Sequence, residues 1–414
     1  MMSKISSIIN ERSGQIVDLL ANLLSFRSTV GNEQEAQKYL ATYLLDLGFD
    51  PEMLPIHPGI ESHPDYTNVP GHSGYDGREN LVLTVPGSGG GKGIILNSHI
   101  DVVPGSDDLF EPYVGHGIVR GRGACDAKGQ IVTAVLALIA LKEAGIQLKG
   151  NVVFQSVIEE EAGGNGSLSV VLDGIRADGV VVMEPSGLNV FPANRGAVWF
   201  KLTVQGKPTH MGRWRDGVNA IEEIIRVIGV LKEYEQKLVA QSAGDPLFPD
   251  VAANVIVNVG TIQGGEWPSM VPGQCTVEGG IGFLPNKRLA DIKEEIASEI
   301  TNHCSSWVRD HYTLEFNRLH NEAYRLPPDH PLVQTLYTSA LSVDVNSKIT
   351  GFTASCDARL FWHTAKLPTV VFGPGEFSYA HSQDEQISIA EIKTAANILV
   401  RFLMQWCGVD TTSC

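Results

Sequence analysis

The stretch Asn151–Gly166, NVVFQSVIEEEAGGNG, decides how the rest of the chain is read. Val152, Val153, Phe154, Val157 and Ile158 form an apolar run that ends in Glu159, Glu160 and Glu161 and then in glycines. An apolar run of this length, closed by glycines, reads as a buried strand. Three adjacent carboxylates at its end repel one another, so something positive is expected to face them.

The neighbouring segments extend the pattern. LVLTVPG and GIILNSHID flank GSGGGKG, which reads as a hairpin turn. It is not a phosphate loop, because Lys92 is followed by Gly93 and a strand instead of Ser or Thr and a helix. After GRGACDAKG, Gln130 to Ala144 predicts a helix that is apolar almost all round and ends at Gly145. A shorter helix near Ser167 to Leu172 precedes the strand GVVVMEP. Strands alternating with helices, and apolar on both faces, specify an α/β fold with a mostly parallel mixed sheet covered by helices. Upstream, residues 10–48 read as one long or two shorter amphipathic helices. Pro51 to Asn80 carries His57, His63 and His72 without a metal spacing and reads as a solvated loop.

The texture changes near Asn194. AVWFKLTVQG, VIVNVGTIQGG and QCTVEGGIGFL alternate as half-buried strands do, separated by helices at about Ala220–Gln236 and Leu289–Ser306, and TLEFNRL closes the unit. From Pro327 the chain returns to a helix at Pro331–Leu341, a loop GFTASCDAR, the strand PTVVFGPG and a final helix from Ile389 to about Trp406. The expectation is a catalytic domain in two parts, 1–194 and 320–414, with an α+β domain inserted at 195–319.

Composition narrows the function. The chain has 414 residues, and 31 Lys plus Arg against 47 Asp plus Glu give a net charge of −16. That balance disfavours nucleic acid and anionic membranes as partners. No apolar run is long enough to span a membrane. The six cysteines are scattered without a CxxC pair, and the first residues lack a secretory core, which together read as a cytoplasmic protein with reduced thiols.

The chemistry gathers where the parallel strands end. GIILNSHID ends in His99 and Asp101, NVVFQSVIEEE in Glu159 to Glu161, GVVVMEP in Glu184, and the loop after PTVVFGPG reaches His381. Asp126 joins them from the start of the buried helix. In open α/β sheets the ligand crevice lies at that edge. Taken singly, Asp126 could be a helix cap, Glu184 a turn residue and His381 a surface histidine. Together they would leave a large negative charge uncompensated unless one or two divalent cations sat among them. His and carboxylate ligands without thiolate suit zinc, cobalt or manganese.

HIDVVP, GRGACDAKG, IEEEAGGNG, VVVMEPSG, GKPTHMGRWRDGVNAI and AHSQDE, in this order and spacing, resemble the M20 metallopeptidase family, which includes acetylornithine deacetylase, aminoacylase and carboxypeptidases. The resemblance extends from about residue 10 to 405. It implies two divalent ions per chain and a water activated by them. His99 would ligate one metal with Asp101 behind it, Asp126 would bridge both, Glu161 and His381 would complete one site, and Glu184 the other. Glu160 would be the general base. That choice between Glu160 and Glu161 comes from the family pattern; strand alternation suggests only that adjacent residues take different roles. The resemblance also implies that His210 stabilises the oxyanion, that Asn258 contacts substrate, and that the inserted domain is a lid that forms a homodimer. In relatives the peptide after the bridging aspartate, here Asp126–Ala127, is often cis.

Two departures bear on substrate. Relatives grip a substrate carboxylate with an arginine where this chain has Gly282, in GGIGFLP; Arg195, Arg213, Arg215 or Arg359 could replace it, or the substrate lacks a carboxylate. Trp214 stands where relatives carry proline, and either lines an aromatic pocket or packs at a dimer contact. The leading expectation is a metal-dependent hydrolase of an amide bond in a small molecule, foremost an N-acyl amino acid deacylase with Arg359 and Asn258 in the substrate site. A carboxypeptidase or dipeptidase, an aryl amine or amide hydrolase, and a catalytically silent metabolite binder are the alternatives. The intact set of site residues argues against the last.

Overall fold

The structure is a computed structural model that describes residues 1–69 and 74–410. The chain forms two compact units. The first holds Met1–Ala193, Arg325–Phe352 and Cys356–Cys414, and the second holds Asn194–Tyr324 with Thr353–Ser355.

In the first unit the central strands run in the order Glu79–Val85, Val152–Val157, Ile94–His99, Val180–Val182 and Thr369–Val371. The last four are mutually parallel, and Glu79–Val85 pairs antiparallel to Val152–Val157. Every residue of Ile94–His99 and Val152–Val157 is buried, as strands covered on both faces must be. Helices Met2–Ser25, Lys128–Ala144 and Ile389–Cys407 pack against one another. Lys128–Ala144 is buried from Lys128 to Leu141, as its nearly uniform apolar sequence requires.

The hairpin expected across GSGGGKG does not form. Val152–Val157 lies between the two strands that were to be its arms. The glycines instead run along the loop before that strand: Ser88 N–H donates to Leu148 O and Gly89 N–H to Lys149 O, each at 2.9 Å. A Cβ on Gly91 would stand 2.0 Å from the Cys407 carbonyl, so this backbone approach admits only glycine.

The segment 51–80 also differs from expectation. Its described part is anchored to the first unit: Thr67 N–H donates to Asn165 Oδ1 at 3.0 Å, Thr364 donates to Asp65 at 2.8 Å, and Arg78 pairs with buried Glu33 at 2.6 Å. His57 Nδ1 lies 2.7 Å from Asp173 and His63 accepts from the Asp65 N–H. His72 lies outside the described residues.

The second unit is an antiparallel sheet in the order Ile256–Gly264, Gln274–Phe283, Gly196–Gln205 and Tyr312–Glu315. Helices Ala220–Gln241 and Leu289–His303 cover the face that carries Val198, Phe200 and Leu202, and Trp199 and Lys201 alternate onto the open face. His320 pairs with Val198, which keeps the strand after TLEFNRL in this unit. Among the described residues no helix is long and apolar enough to cross a membrane, and the cysteines are free thiols.

Candidate metal centre

The first unit brings seven of the sequence-selected residues to one edge of its sheet: His99, Asp101, Asp126, Glu160, Glu161, Glu184 and His381. His99 ends its strand and is 1% exposed. Its Nδ1 donates to the Asp101 carbonyl at 3.0 Å, a partner that can only accept, so Nε2 is the ring atom that faces the site. Nε2 lies 3.0 Å from Asp126 Oδ1 and 3.9 Å from Glu184 Oε2. The other oxygen of Asp126 lies 3.4 Å from His381 Nε2, which is 3.0 Å from Glu161 Oε2. Asp126 therefore stands between two imidazoles, one to each oxygen. The Asp126–Ala127 peptide is cis.

Asp101 organises the glutamate turn. Its carboxylate accepts the backbone N–H of Glu160 at 3.1 Å on one oxygen and that of Glu161 at 3.0 Å on the other, while its carbonyl fixes His99. The strand stops at Val157, and Glu159 adopts a left-handed backbone (φ 61°). A turn, not strand alternation, thus separates the three acids. Glu159 points away from the site and is fully buried, with Arg78 at 2.7 Å, Tyr75 at 2.9 Å and Asn165 at 2.9 Å.

The electrostatics call for a cation. Burial, with Asp357 and Glu184 nearby, pushes the Glu160 carboxyl well above its usual range. Burial and Asp126 push Glu161 up to about 7 despite its hydrogen bond to His381. Glu184 is raised by burial and by Asp126, against His99. Both histidines answer this charge. Burial lowers His99, but its hydrogen bonds to Asp101 and Asp126 prevail and hold it well above its usual value; Asp126 and Glu161 raise His381 to about 10. Ligand atoms of His99, Asp126 and Glu161 lie within 4.8 Å of one another, as do those of His99, Glu160 and Glu184. These two overlapping nitrogen–oxygen sets fit divalent ions of the zinc, cobalt or manganese type.

Other residues complete the region. Glu385, in AHSQDE, accepts the backbone N–H groups of Gly123 (2.9 Å), Cys125 and Asp126 (both 3.1 Å) and pairs with Arg122 at 2.6 Å. It thereby holds the loop that presents Asp126. Asp357 is 2% exposed, and burial raises it to about 6. Sequence reasoning passed over both; the acids at the ends of AHSQDE and GFTASCD were the available signal. Arg359 is 2% exposed and donates to the Gly163 carbonyl at 2.8 Å, directly behind the glutamate turn. His210 and Asn258 belong to the second unit, and both are exposed. His210 Nδ1 accepts the Gly212 N–H at 3.1 Å.

Residues 95–405 match peptidase family M20/M25/M40. The chain belongs to this family. As an M20 protein it is a hydrolase of amide or peptide C–N bonds. It is 25% identical to the N-formyl-4-amino-5-aminomethyl-2-methylpyrimidine deformylase of Bacillus subtilis, over 97% of this chain and 96% of the relative. A tripeptidase from Staphylococcus aureus shares the M20 fold with a TM-score of 0.75 at 19% identity, over 95% of this chain and 98% of that one. A dinuclear metal-binding M20 peptidase from Bacillus subtilis aligns with a TM-score of 0.66 at 14% identity, over 97% of this chain and 100% of that one.

Proposed function

We propose that this chain is a two-metal deacylase that cleaves the amide bond of a small N-acyl compound, with N-acyl amino acids as the first class to test. The observation that carries this reading is Asp126 held between His99 and His381, with Glu161 and Glu184 on either side. His99 and Glu184 would hold one ion, Glu161 and His381 the other, and Asp126 both. When bound, such ions polarise an amide carbonyl and lower the pKa of water toward about 7. Glu160 is the carboxylate left to move the proton, taking it from the attacking water and giving it to the leaving amine nitrogen. A general base so placed contributes roughly 10²–10⁴-fold. Asp101 orients His99 and, by holding two successive N–H groups, sets the direction in which Glu160 and Glu161 leave the turn. His210 is proposed as the donor to the oxyanion, and the second unit as lid and homodimer contact.

The whole-length likeness to a deformylase supports removal of an acyl group from an amine, and the dinuclear M20 peptidase supports a pair of ions. A second reading, an N-acyl amine without a carboxylate, is favoured by Gly282 and by the deformylase relative. The test is elemental analysis and hydrolysis of N-formyl and N-acetyl compounds by protein purified without chelator. About two ions per chain, with activity lost in chelator and restored by zinc, cobalt or manganese, is the expected result. An active protein that binds no ion would overturn the reading.

A further inference from the structure

Three phenylalanines of the first unit form a short row of rings. Phe191 and Phe352 stack, with centroids 5.4 Å apart and planes 12° apart, and Phe377 meets Phe352 edge-on, at 5.2 Å and 75°. Both geometries are favourable for aromatic pairs. Phe191 and Phe352 are buried, whereas Phe377 is 40% exposed. An isolated exposed apolar side chain is ordinary on a protein surface. Phe377 is not isolated: it is the open end of a buried stack, and its ring is held before any ligand arrives.

The row lies at the same sheet edge as the metal centre. Asn97, Val182, Val371 and Phe191 are partners across four adjacent strands, and His99 and Glu184 stand two residues beyond the first two of them. Neighbouring strands lie about 4.8 Å apart, so Phe191 sits about 10 Å along the edge from Val182. Strand Ile349–Phe352 pairs beside Val190–Asn194 and so brings Phe352 onto Phe191. After Val371 the chain runs beside Glu184: Phe372 N–H donates to the Val182 carbonyl at 3.0 Å, and Gly187 N–H to the Gly375 carbonyl at 2.8 Å. The Cys125 thiol, next to Asp126, then donates to the Glu376 carbonyl at 3.3 Å. Phe377 follows in the single turn Phe377–Tyr379, and His381 comes four residues later, with Nε2 3.4 Å from Asp126. Phe377 is therefore bracketed by two points fixed to the Asp126 loop, one on each side of it in sequence.

We propose that Phe377, backed by Phe352 and Phe191, determines specificity: its ring takes a flat aromatic group of the substrate whose amide is cleaved at the metal centre. This rests on the hydrolase reading above. Sites for small molecules combine apolar and aromatic walls with a few placed polar groups; here the polar groups are those of the centre and the wall is Phe377. A ring already fixed in place contributes contact area with little ordering cost on binding. The aromatic group hangs either from the acyl carbon or from the leaving nitrogen, and the probes distinguish the two.

The test uses the full metal-loaded chain and hydroxamates, whose paired oxygens chelate a metal ion. Phenylacetohydroxamate is compared with acetohydroxamate for a ring on the acyl side, and N-benzylacetohydroxamate with N-methylacetohydroxamate for a ring on the nitrogen. Titration calorimetry should show the ringed member of at least one pair binding about tenfold tighter than its partner, and that pair identifies the side that carries the ring. The preference should be lost in Phe377→Ala and kept in Phe377→Tyr, with metal content by elemental analysis unchanged in both. If Phe377→Ala loses metal, Phe377→Leu, which keeps an apolar side chain against Phe352, decides: there the preference should fall about threefold or more. No ring preference in either pair, or a preference undiminished in the variant that keeps its metal, overturns the proposal. N-acyl hydrolysis without a Phe377-dependent ring preference also overturns it and leaves the deacylase standing. Phe377-dependent ring binding without any N-acyl hydrolysis sinks the deacylase reading and keeps Phe377 as the ring-binding wall of the metal centre.

Discussion

The sheet edge of the first unit and the open sheet face of the second solve opposite problems. At the edge, Asp126, Glu160, Glu161 and Glu184 are gathered until burial and mutual repulsion raise the glutamates, and His99 and His381 answer them directly. On the open face, glycines at 280 and 282 clear a floor, and a guanidinium without an acid stands beside it. The first region gathers carboxylates that fit a divalent cation; in the second, Arg195 has no acid partner among the described residues. Charge of one sign gathered from several segments, where the fold cannot disperse it, points to a ligand of the other sign; a single guanidinium does not.

The largest test of this comparison is Asp126→Ala. If Asp126 bridges two ions, both are expected to be lost or weakened together, with activity falling to background, as read by elemental analysis and turnover. A variant that keeps its full metal content breaks the idea of one shared carboxylate. Next in size is Glu160→Gln. It is expected to lower kcat roughly 10²–10⁴-fold while metal content stays near wild type, because the proton carrier is removed and the ligands remain. Metal loss here would instead make Glu160 a ligand beside His99 and Glu184, which the distances allow.

Much of this was legible in the sequence, and the reason is local. The ends of parallel strands lie along one sheet edge, so His99, the acids after Val157 and Glu184 could be picked out together from distant segments, whereas the choice of Glu161 over Glu160 as ligand came from the resemblance alone. The hairpin was misread because adjacency in sequence suggested pairing, whereas the interposed strand Val152–Val157 is fixed by long-range packing around Gly87 and Gly91. The part played by residues 51–80 was hidden for the same reason. Nothing local to Arg78 reveals that it lies between Glu33 and Glu159. Glu159 itself illustrates the limit: its neighbours in sequence face the centre, but its left-handed backbone sends it into that buried network.

That network supplies the third test. Arg78→Met leaves two buried carboxylates without their shared cation and is expected to destabilise the first unit by about 3–5 kcal/mol. A shift in the urea midpoint at fixed metal concentration measures it. A shift well under this would mean that the neighbouring groups, Tyr75 and Asn165 among them, already satisfy Glu159.

The smallest effect belongs to the second region. Gly282→Ala adds one methyl group, 3.0 Å from Arg195 Nη1 and 3.2 Å from the Asn254 carbonyl. The guanidinium end is flexible and the carbonyl is not, so Arg195 is the group that moves. Stability should change by less than about 1 kcal/mol, read as the urea midpoint. If glycine is there because the sheet packs tightly against the Asn254 carbonyl, the substitution will lower stability. If it is there to seat Arg195, the unfolding midpoint will hold while the guanidinium shifts. The two readings separate because the methyl group touches the flexible guanidinium on one side and the backbone on the other.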